Sequence, residues 1–168
     1  MDFLELLLFI LPAYFANSTP VVLGGGKPLD LGKTLSDGKR VFGASKTIRG
    51  FFSALVVGTF VSITLSLFPQ FLPGFSLEQK ITVAFLVSLG AMAGDLIGSF
   101  SKRRLGYGEG ESFIITDQLL FLAIALLFSS PYVKIGLYDV IALVVITFVL
   151  HVLFNQIAHR LGLKKVTW

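Results

Sequence analysis

The sequence predicts an all-α, polytopic membrane protein with five transmembrane helices, N-terminus outside and C-terminus cytoplasmic. Three observations carry that reading. Hydrophobic residues make up 54% of the chain and charged residues 14%, with a mean hydropathy of +0.83, against roughly 25% charged residues in soluble domains. The charges are bunched, which leaves five long apolar segments. The basic residues fall almost entirely in alternate connections between those segments. A chain of 168 residues folding in water would bury only about 70% of its unfolded surface, too little to hide such segments. A disordered chain would be poor in apolar residues, so that class is excluded too. The absence of cysteine excludes disulfides, thiolate metal sites and a cysteine nucleophile.

The first apolar segment runs from Phe3 to about Ala16, and Asn17-Ser18-Thr19-Pro20 is expected to interrupt its helix. It lacks the basic start and cleavage site of a signal peptide, so it is expected to be retained. The second, Phe51 to Phe68, is free of charge, and the third, Ile81 to Phe100, carries only Asp95. The fourth, Phe113 to Phe128, has Asp117 near its start, and the fifth, Leu137 to Ile157, has Asp139. A span needs about 20 apolar residues, which the second, third and fifth supply and the first and fourth approach. One transmembrane catalytic domain over residues 1–168 is expected.

Orientation follows from the cations. Lys27, Lys33, Lys39, Arg40, Lys46 and Arg49 lie in the first connection, Lys102, Arg103 and Arg104 in the third, and Arg160, Lys164 and Lys165 in the tail. Only Lys80 and Lys134 lie in the other connections. By the positive-inside rule the crowded side faces the cytoplasm.

That side also carries the unusual chemistry. Residues 24–50 hold seven glycines and six basic residues, including the pairs Lys33-Thr34 and Lys46-Thr47. Glycine lets backbone approach a ligand, and successive N–H groups beside Lys or Arg form anion nests. A polyphosphate suits such a loop. The alternative is a basic loop that sets topology and meets anionic headgroups. A P-loop is excluded, because Lys27 stands where the first glycine before Gly32-Lys33-Thr34 belongs. Asp95 is a carboxylate inside an apolar segment, costly enough to read as a functional site, with Lys102 or Arg103 as the plain structural partner. Gly90, Gly94 and Gly98 recur every fourth residue, the small-xxx-small pattern of close helix packing. Asp117 either caps the fourth helix or joins Asp95 around a divalent metal. His151 and His159 have no partner at metal-ligand spacing.

Two stretches resemble the archaeal CDP-archaeol synthases. They are Asp37-Gly38-Lys39-Arg40-Val41-Phe42-Gly43-Ala44-Ser45-Lys46-Thr47-Ile48-Arg49-Gly50 and Gly94-Asp95-Leu96-Ile97-Gly98-Ser99-Phe100-Ser101-Lys102-Arg103-Arg104 followed by Asp117-Gln118-Leu119. Asn17-Ser18-Thr19-Pro20 and Gly24-Gly25-Gly26-Lys27-Pro28-Leu29-Asp30 are similar to that family's opening. The wider relatives are CTP:phosphatidate cytidylyltransferases, whose signature has a His-Gly-Gly stretch and a second acid. Here Gly108-Glu109-Gly110-Glu111-Ser112 lacks the histidine, and Leu120 stands at the second acid.

The resemblance implies transfer of CMP from CTP to an unsaturated archaetidic acid, 2,3-bis-O-(geranylgeranyl)-sn-glycerol 1-phosphate, with release of pyrophosphate. It implies catalytic roles for Asp95, Asp117, Lys102 and Arg103. It implies substrate binding by Asn17, Lys39, Arg40, Lys46, Thr47, Arg49, Ser99, Ser101, Arg104 and Gln118. Mg²⁺, or Mn²⁺, is expected on Asp95 and Asp117. The expected partners are CTP, the prenylated lipid phosphate and the bilayer, with a homodimer left open and no nucleic acid. The expected location is the cell membrane, multi-pass, with a cytoplasmic active site. The runner-up is a small ion or solute carrier using Asp95, which would need polar residues continuing to the outer face.

Overall fold

A computed structural model describes residues 1–109, 111, 113 and 116–160. The expected tail cations Lys164 and Lys165, and Gly110 and Ser112 of the motif, lie outside those residues. The described chain is helical: α1 Phe3–Leu23, α2 Ile48–Leu65, α3 Leu77–Leu105, α4 Phe121–Ser129 and α5 Leu137–Arg160, with a π-helical turn, Thr116–Leu120, leading into α4. Three helices, α1 to α3, are long and apolar enough to cross a bilayer, and two shorter apolar stretches, Asp117–Ser129 and Leu137–Leu153, accompany them.

The ends of these helices are written locally. Asp2 and Glu5 form a capping box at the start of α1, with Glu5 N donating to Asp2 Oδ1 at 2.7 Å and Asp2 N to Glu5 Oε2 at 3.0 Å. Ser76 and Gln79 repeat the device on α3. Gly106, at φ 89°, ends α3 in the left-handed conformation that favours glycine.

The expected interruption of the first helix is corrected. α1 continues through Asn17–Pro20 to Leu23. Proline removes only one N–H donor at position 20, and nearby hydroxyls serve the same turn. Thr19 Oγ1 donates to Phe15 O at 2.6 Å and Ser18 Oγ at 3.2 Å. The third helix is also longer than its apolar segment. Lys102, Arg103 and Arg104 therefore sit on the last turn of α3 rather than in a connection.

α1, α2 and α3 form one packed group, and α4 lies along α3. Leu6, Phe9, Ile10, Val83, Val87, Phe121 and Leu122 make up the buried core between them. α5 is held to α1 by a hydrogen bond of 2.8 Å between Tyr14 Oη and Thr147 Oγ1. The α1–α2–α3 junction closes at Gly58, where an added Cβ would fall 2.1 Å from Ser88 Oγ. The glycine stripe on α3 packs as its spacing predicts. A Cβ at Gly90 would lie 2.6 Å from Ile124 O, and one at Gly94 would lie 2.4 Å from Leu120 O.

Both ends of the bundle follow from this order. Met1, Asp139 and the connection after α2 gather at one end, where the N-terminal amine lies 3.6 Å from Asp139. Phe71 and Leu72 are buried there. Residues 24–47, the end of α3 and the start of the π-helical turn gather at the other, basic end. Gly94→Ala is expected to destabilise the protein by about 1–3 kcal/mol, the usual cost of overpacking, because the new methyl meets fixed backbone. Thermal unfolding in detergent checks this, and an unchanged midpoint would show that α4 is free to move away.

Candidate active site

The basic end is organised by a carboxylate. Asp30 lies in the first connection and is buried. Its Oδ1 accepts from Gly32 N at 3.0 Å and from the Arg40 guanidinium. Its Oδ2 accepts from Phe42 N at 3.1 Å and Gly43 N at 3.0 Å. Burial acts to raise its pKa, but Arg40 and the N–H groups of Gly43, Gly32 and Phe42 outweigh it. The carboxyl is therefore held well below its ordinary range. Gly32 and Gly43, at φ 83° and 106°, supply turns that let both flanks face one side chain.

The folded loop is fastened by two clips, one to the last turn of α3 and one to the segment that follows it. Arg104 Nη1 donates to both Asp37 oxygens at 2.6 Å, and Nη2 donates to the carbonyls of Lys39, at 3.1 Å, and Arg40. The same guanidinium lies over the Phe100 ring, 5.2 Å from its centre. The Lys39 N–H, ahead of a small opposing desolvation, and then Arg104 hold the Asp37 carboxyl below its usual value. In the second clip, Glu109 Oε1 accepts from Ala44 N at 2.7 Å and lies 4.0 Å from Arg40 Nη1.

These constraints place Lys46. Its Nζ donates to both oxygens of Asp95 at 2.7 Å. The pair faces a small, open cavity of about 30 Å³. The apolar wall is Pro20, Leu29, Phe51, Met92 and Leu96, and the polar rim is Ser45, Lys46, Thr47 and Asp95. The partner of Asp95 is thus a loop lysine rather than Lys102 or Arg103. Lys102 instead donates to Asp117 Oδ1 at 2.6 Å and to Glu111 O at 3.3 Å. Asp117 Oδ2 accepts from Phe113 N at 3.0 Å, so this acid also steadies the entry to the π-helical turn. Asp117 is not among the residues lining the cavity.

The other expected site residues have varied surroundings. Thr47 is the N-cap of α2, accepting from Gly50 N at 3.1 Å. Arg49 caps the end of α1 by donating to Leu23 O at 2.9 Å and to Gly24 O. Lys39 Nζ donates to Arg104 O at 3.2 Å. Arg103 is buried and donates to Gly108 O at 3.0 Å. Ser99 and Gln118 are buried, and Gln118 Oε1 has no hydrogen-bond partner among the described residues. Asn17 and Ser101 are half-buried. Among the described residues no three His, Asp or Glu side chains converge as a metal cluster. Asp95 and Asp117 hold different lysines, Lys46 and Lys102, and of the two only Asp95 lines the cavity.

A family model described as CarS-like, CDP-archaeol synthase, matches residues 2–168. The chain belongs to the CDP-archaeol synthase family. The CDP-archaeol synthase of Pyrococcus abyssi is 50% identical over 166 residues, covering 98% of this chain and 97% of that protein. The one from Archaeoglobus fulgidus is 44% identical over 175 residues, covering 98% and 97%. A solved structure described as an intramembrane enzyme for archaeal membrane lipids biosynthesis matches with a TM-score of 0.84 at 34% identity, over 92% of this chain and 94% of that one. Membership agrees with the apolar helices in making this a membrane-embedded protein.

The first clip and Glu109 were not visible as such in the sequence. Asp30 was not singled out either, although an Asp two residues before a glycine is an Asx-turn signal that could have marked it. Asp30→Asn is expected to loosen residues 30–43, since breaking a buried ion pair costs about 3–5 kcal/mol. The sign with pH follows from the lowered pKa. The Asp30 contribution is complete above the unfolded value of about 4 and is lost as pH falls toward the lower folded value. Hydrogen exchange should find the wild-type loop protected at neutral pH and weakening only under strong acid. The variant loop should exchange faster at every pH.

Proposed function

We propose that this chain transfers CMP from CTP to 2,3-bis-O-(geranylgeranyl)-sn-glycerol 1-phosphate, giving CDP-archaeol and pyrophosphate. The observation that carries the reading is the Lys46–Asp95 pair on the rim of an apolar-walled cavity at the basic end of the bundle. The substrates differ in solubility, and a small polar rim beside an apolar wall offers each a point of entry. Val21, Val22, Phe52 and Ile97, beside the wall residues in sequence, are exposed apolar side chains and offer prenyl chains a lateral path from lipid. Family membership supports the same chemistry.

In the reaction, an oxygen of the lipid phosphate attacks the α-phosphorus of CTP. The new P–O bond forms as the bond to the β-phosphate oxygen breaks, and pyrophosphate leaves. The nucleophile is ionised near neutral pH, because a phosphomonoester's second pKa is about 6, so no general base is required. What remains is alignment and neutralisation of charge.

Lys46, on the cavity rim, and Lys102 are assigned to the phosphates, with Ser99, Ser101, Gln118 and Asn17 as further contacts, while the buried Arg103 shapes the site through Gly108 O. Lys39, Arg40, Thr47, Arg49 and Arg104 shape the site through the backbone and side chains they hold. The acids fit a hard divalent cation in donor type, and each already holds a cation, the ammonium of Lys46 or Lys102. Asp95 and Asp117 would hold Mg²⁺ or Mn²⁺, which when bound neutralises phosphate oxygens and polarises phosphorus. The site is assigned to the cytoplasmic face by the charge segregation.

Asp95→Asn and Asp117→Asn are each expected to lower turnover at saturating CTP by at least about 100-fold, roughly 2.7 kcal/mol of barrier. CTP-dependent pyrophosphate release in the presence of the lipid phosphate measures this. Near-normal turnover in either variant would remove that acid from the metal site, and no release by the wild type would return the carrier reading.

A further inference from the structure

The cations of the first connection differ in what holds them. Lys39 and Arg49 donate to carbonyls, Arg40 is held on Asp30, and Lys46 on Asp95. Among the described residues, the side chains of Lys27 and Lys33 have no such partner, and both are exposed. Between them stands Leu31, an apolar side chain left 65% exposed. Its backbone lies at φ 50°, in the left-handed region that glycine or asparagine occupies with less strain. The turn around Asp30 would therefore form more easily with either of those residues. In water this leucine is unfavourable twice, once in its backbone and once in its side chain.

Helix lengths give its depth. α2 has 18 residues, about 27 Å of helix, against a hydrocarbon core of about 30 Å. Its N-cap, Thr47, therefore lies at the edge of the hydrocarbon. Pro28 pairs with Thr47 in an isolated antiparallel bridge, and Ile48 N donates to Lys27 O at 3.0 Å. Leu31 N returns to Pro28 O at 3.1 Å, closing a four-residue turn whose ends lie within about 7 Å of each other. Lys27 and Leu31 thus sit level with the start of α2. Val21, Val22 and Phe52, at the neighbouring helix ends, are exposed apolar side chains too. The hairpin that follows, bridged from Thr34 to Arg40, lies elsewhere. Its Asp37 is tied to Arg104 on the last turn of α3. α3 has 29 residues, about 43 Å of helix, so its charged last turn runs past the hydrocarbon into water.

We infer that residues 27–33 form a membrane-surface anchor, in which Leu31 enters the headgroup boundary at the basic end and Lys27 and Lys33 stand over anionic lipid headgroups. A lysine can lay its methylenes along apolar surface while its ammonium stays in water. Its attraction to an anionic leaflet is short-ranged, so it acts only at this depth. The partner is the bulk lipid surface, because a free phosphate would satisfy the lysines and leave the leucine exposed. Asp30 and Gly32 flank Leu31 directly. The bilayer thereby becomes part of what holds the loop that positions Lys46.

The chain has no cysteine, so a single introduced cysteine reports one position. Leu31→Cys, Ser36→Cys in the hairpin and Val56→Cys in the middle of α2, all at exposed positions, are labelled with an environment-sensitive fluorophore. The full-length protein is reconstituted in vesicles of phosphatidylglycerol and phosphatidylcholine. A lipid carrying a nitroxide near its headgroup is expected to quench the label at 31 at least about threefold more than the label at 36. Aqueous iodide should show the reverse order and spare the label at 56. In phosphatidylcholine alone, or with Lys27→Ala and Lys33→Ala combined, lipid quenching at 31 is expected to fall at least about twofold. Equal iodide quenching at 31 and 36 overturns the anchor. Lipid quenching at 31 that is unchanged by both the neutral vesicles and the lysine substitutions overturns the anionic partner. If Leu31→Cys does not fold, the unmodified chain decides. A lipid bearing a diazirine near its headgroup should then crosslink within residues 27–33 and spare 34–40, and no crosslink within 27–33 overturns the proposal.

Discussion

A glycine-rich loop has many conformations, and a phosphate site needs one. The buried Asp30 carboxylate resolves that conflict. Its two oxygens collect three backbone N–H groups and the Arg40 guanidinium from both sides of the loop. Ordering a residue costs about 1–2 kcal/mol in backbone entropy. Charge-assisted hydrogen bonds in a buried setting are among the few local interactions strong enough to offset it. The exit of the loop is then fixed by Leu29 N on Lys46 O at 2.7 Å and Ile48 N on Lys27 O at 3.0 Å. Lys46 reaches Asp95 because the loop behind it is rigid.

The opposite wall depends on absent side chains. Gly94 precedes Asp95 directly, and Gly90 and Gly94 bring α4 against the α3 backbone. This close approach sets the depth at which the π-helical turn delivers Asp117 to Lys102. A π-helical turn carries one extra residue in its hydrogen-bonded ring, which re-aims the side chains that follow. Asp117 is steered by that turn and by its bond to Phe113 N. Helix packing and site geometry at this position are therefore one constraint.

Much of this was legible in residue order. The apolar segments gave five helices, and the cation distribution separated two ends that the structure also separates. The glycine spacing gave the α3–α4 contact. Asp95 stood out as a carboxylate in an apolar run. The missed pairings share a cause, which is that hydrogen bonds distant in sequence leave no local pattern. Asn17–Pro20 is a different case: proline and polar side chains usually end helices, yet Pro20 falls in the last turn of α1, where it removes a single N–H donor and the helix runs on to Leu23. Lys46 could not be matched to Asp95, nor Arg104 to Asp37, since 49 and 67 residues separate them. The resemblance implies Thr47 and Arg49 as phosphate ligands, and the structure adds that both serve in helix caps.

Those caps explain why one loop carries so many cations of such different function. An arginine fork matches two acceptors at once and is weakly hydrated, which suits it to hold carbonyls at helix ends where backbone acceptors are left over. A lysine has no such fork. At the end of an apolar bundle, every ammonium and carboxylate must find an opposite charge or reach water. Arg40 and Arg104 meet that demand on the loop acids Asp30 and Asp37, and Lys39 and Lys102 also hold carbonyls, whereas Lys46 rests on Asp95 at the cavity rim. The distinction follows from geometry and not from charge, so net charge alone would have treated Arg49 and Lys46 as equivalent. Their partners separate them: two helix-end carbonyls for one, and a carboxylate on the cavity rim for the other.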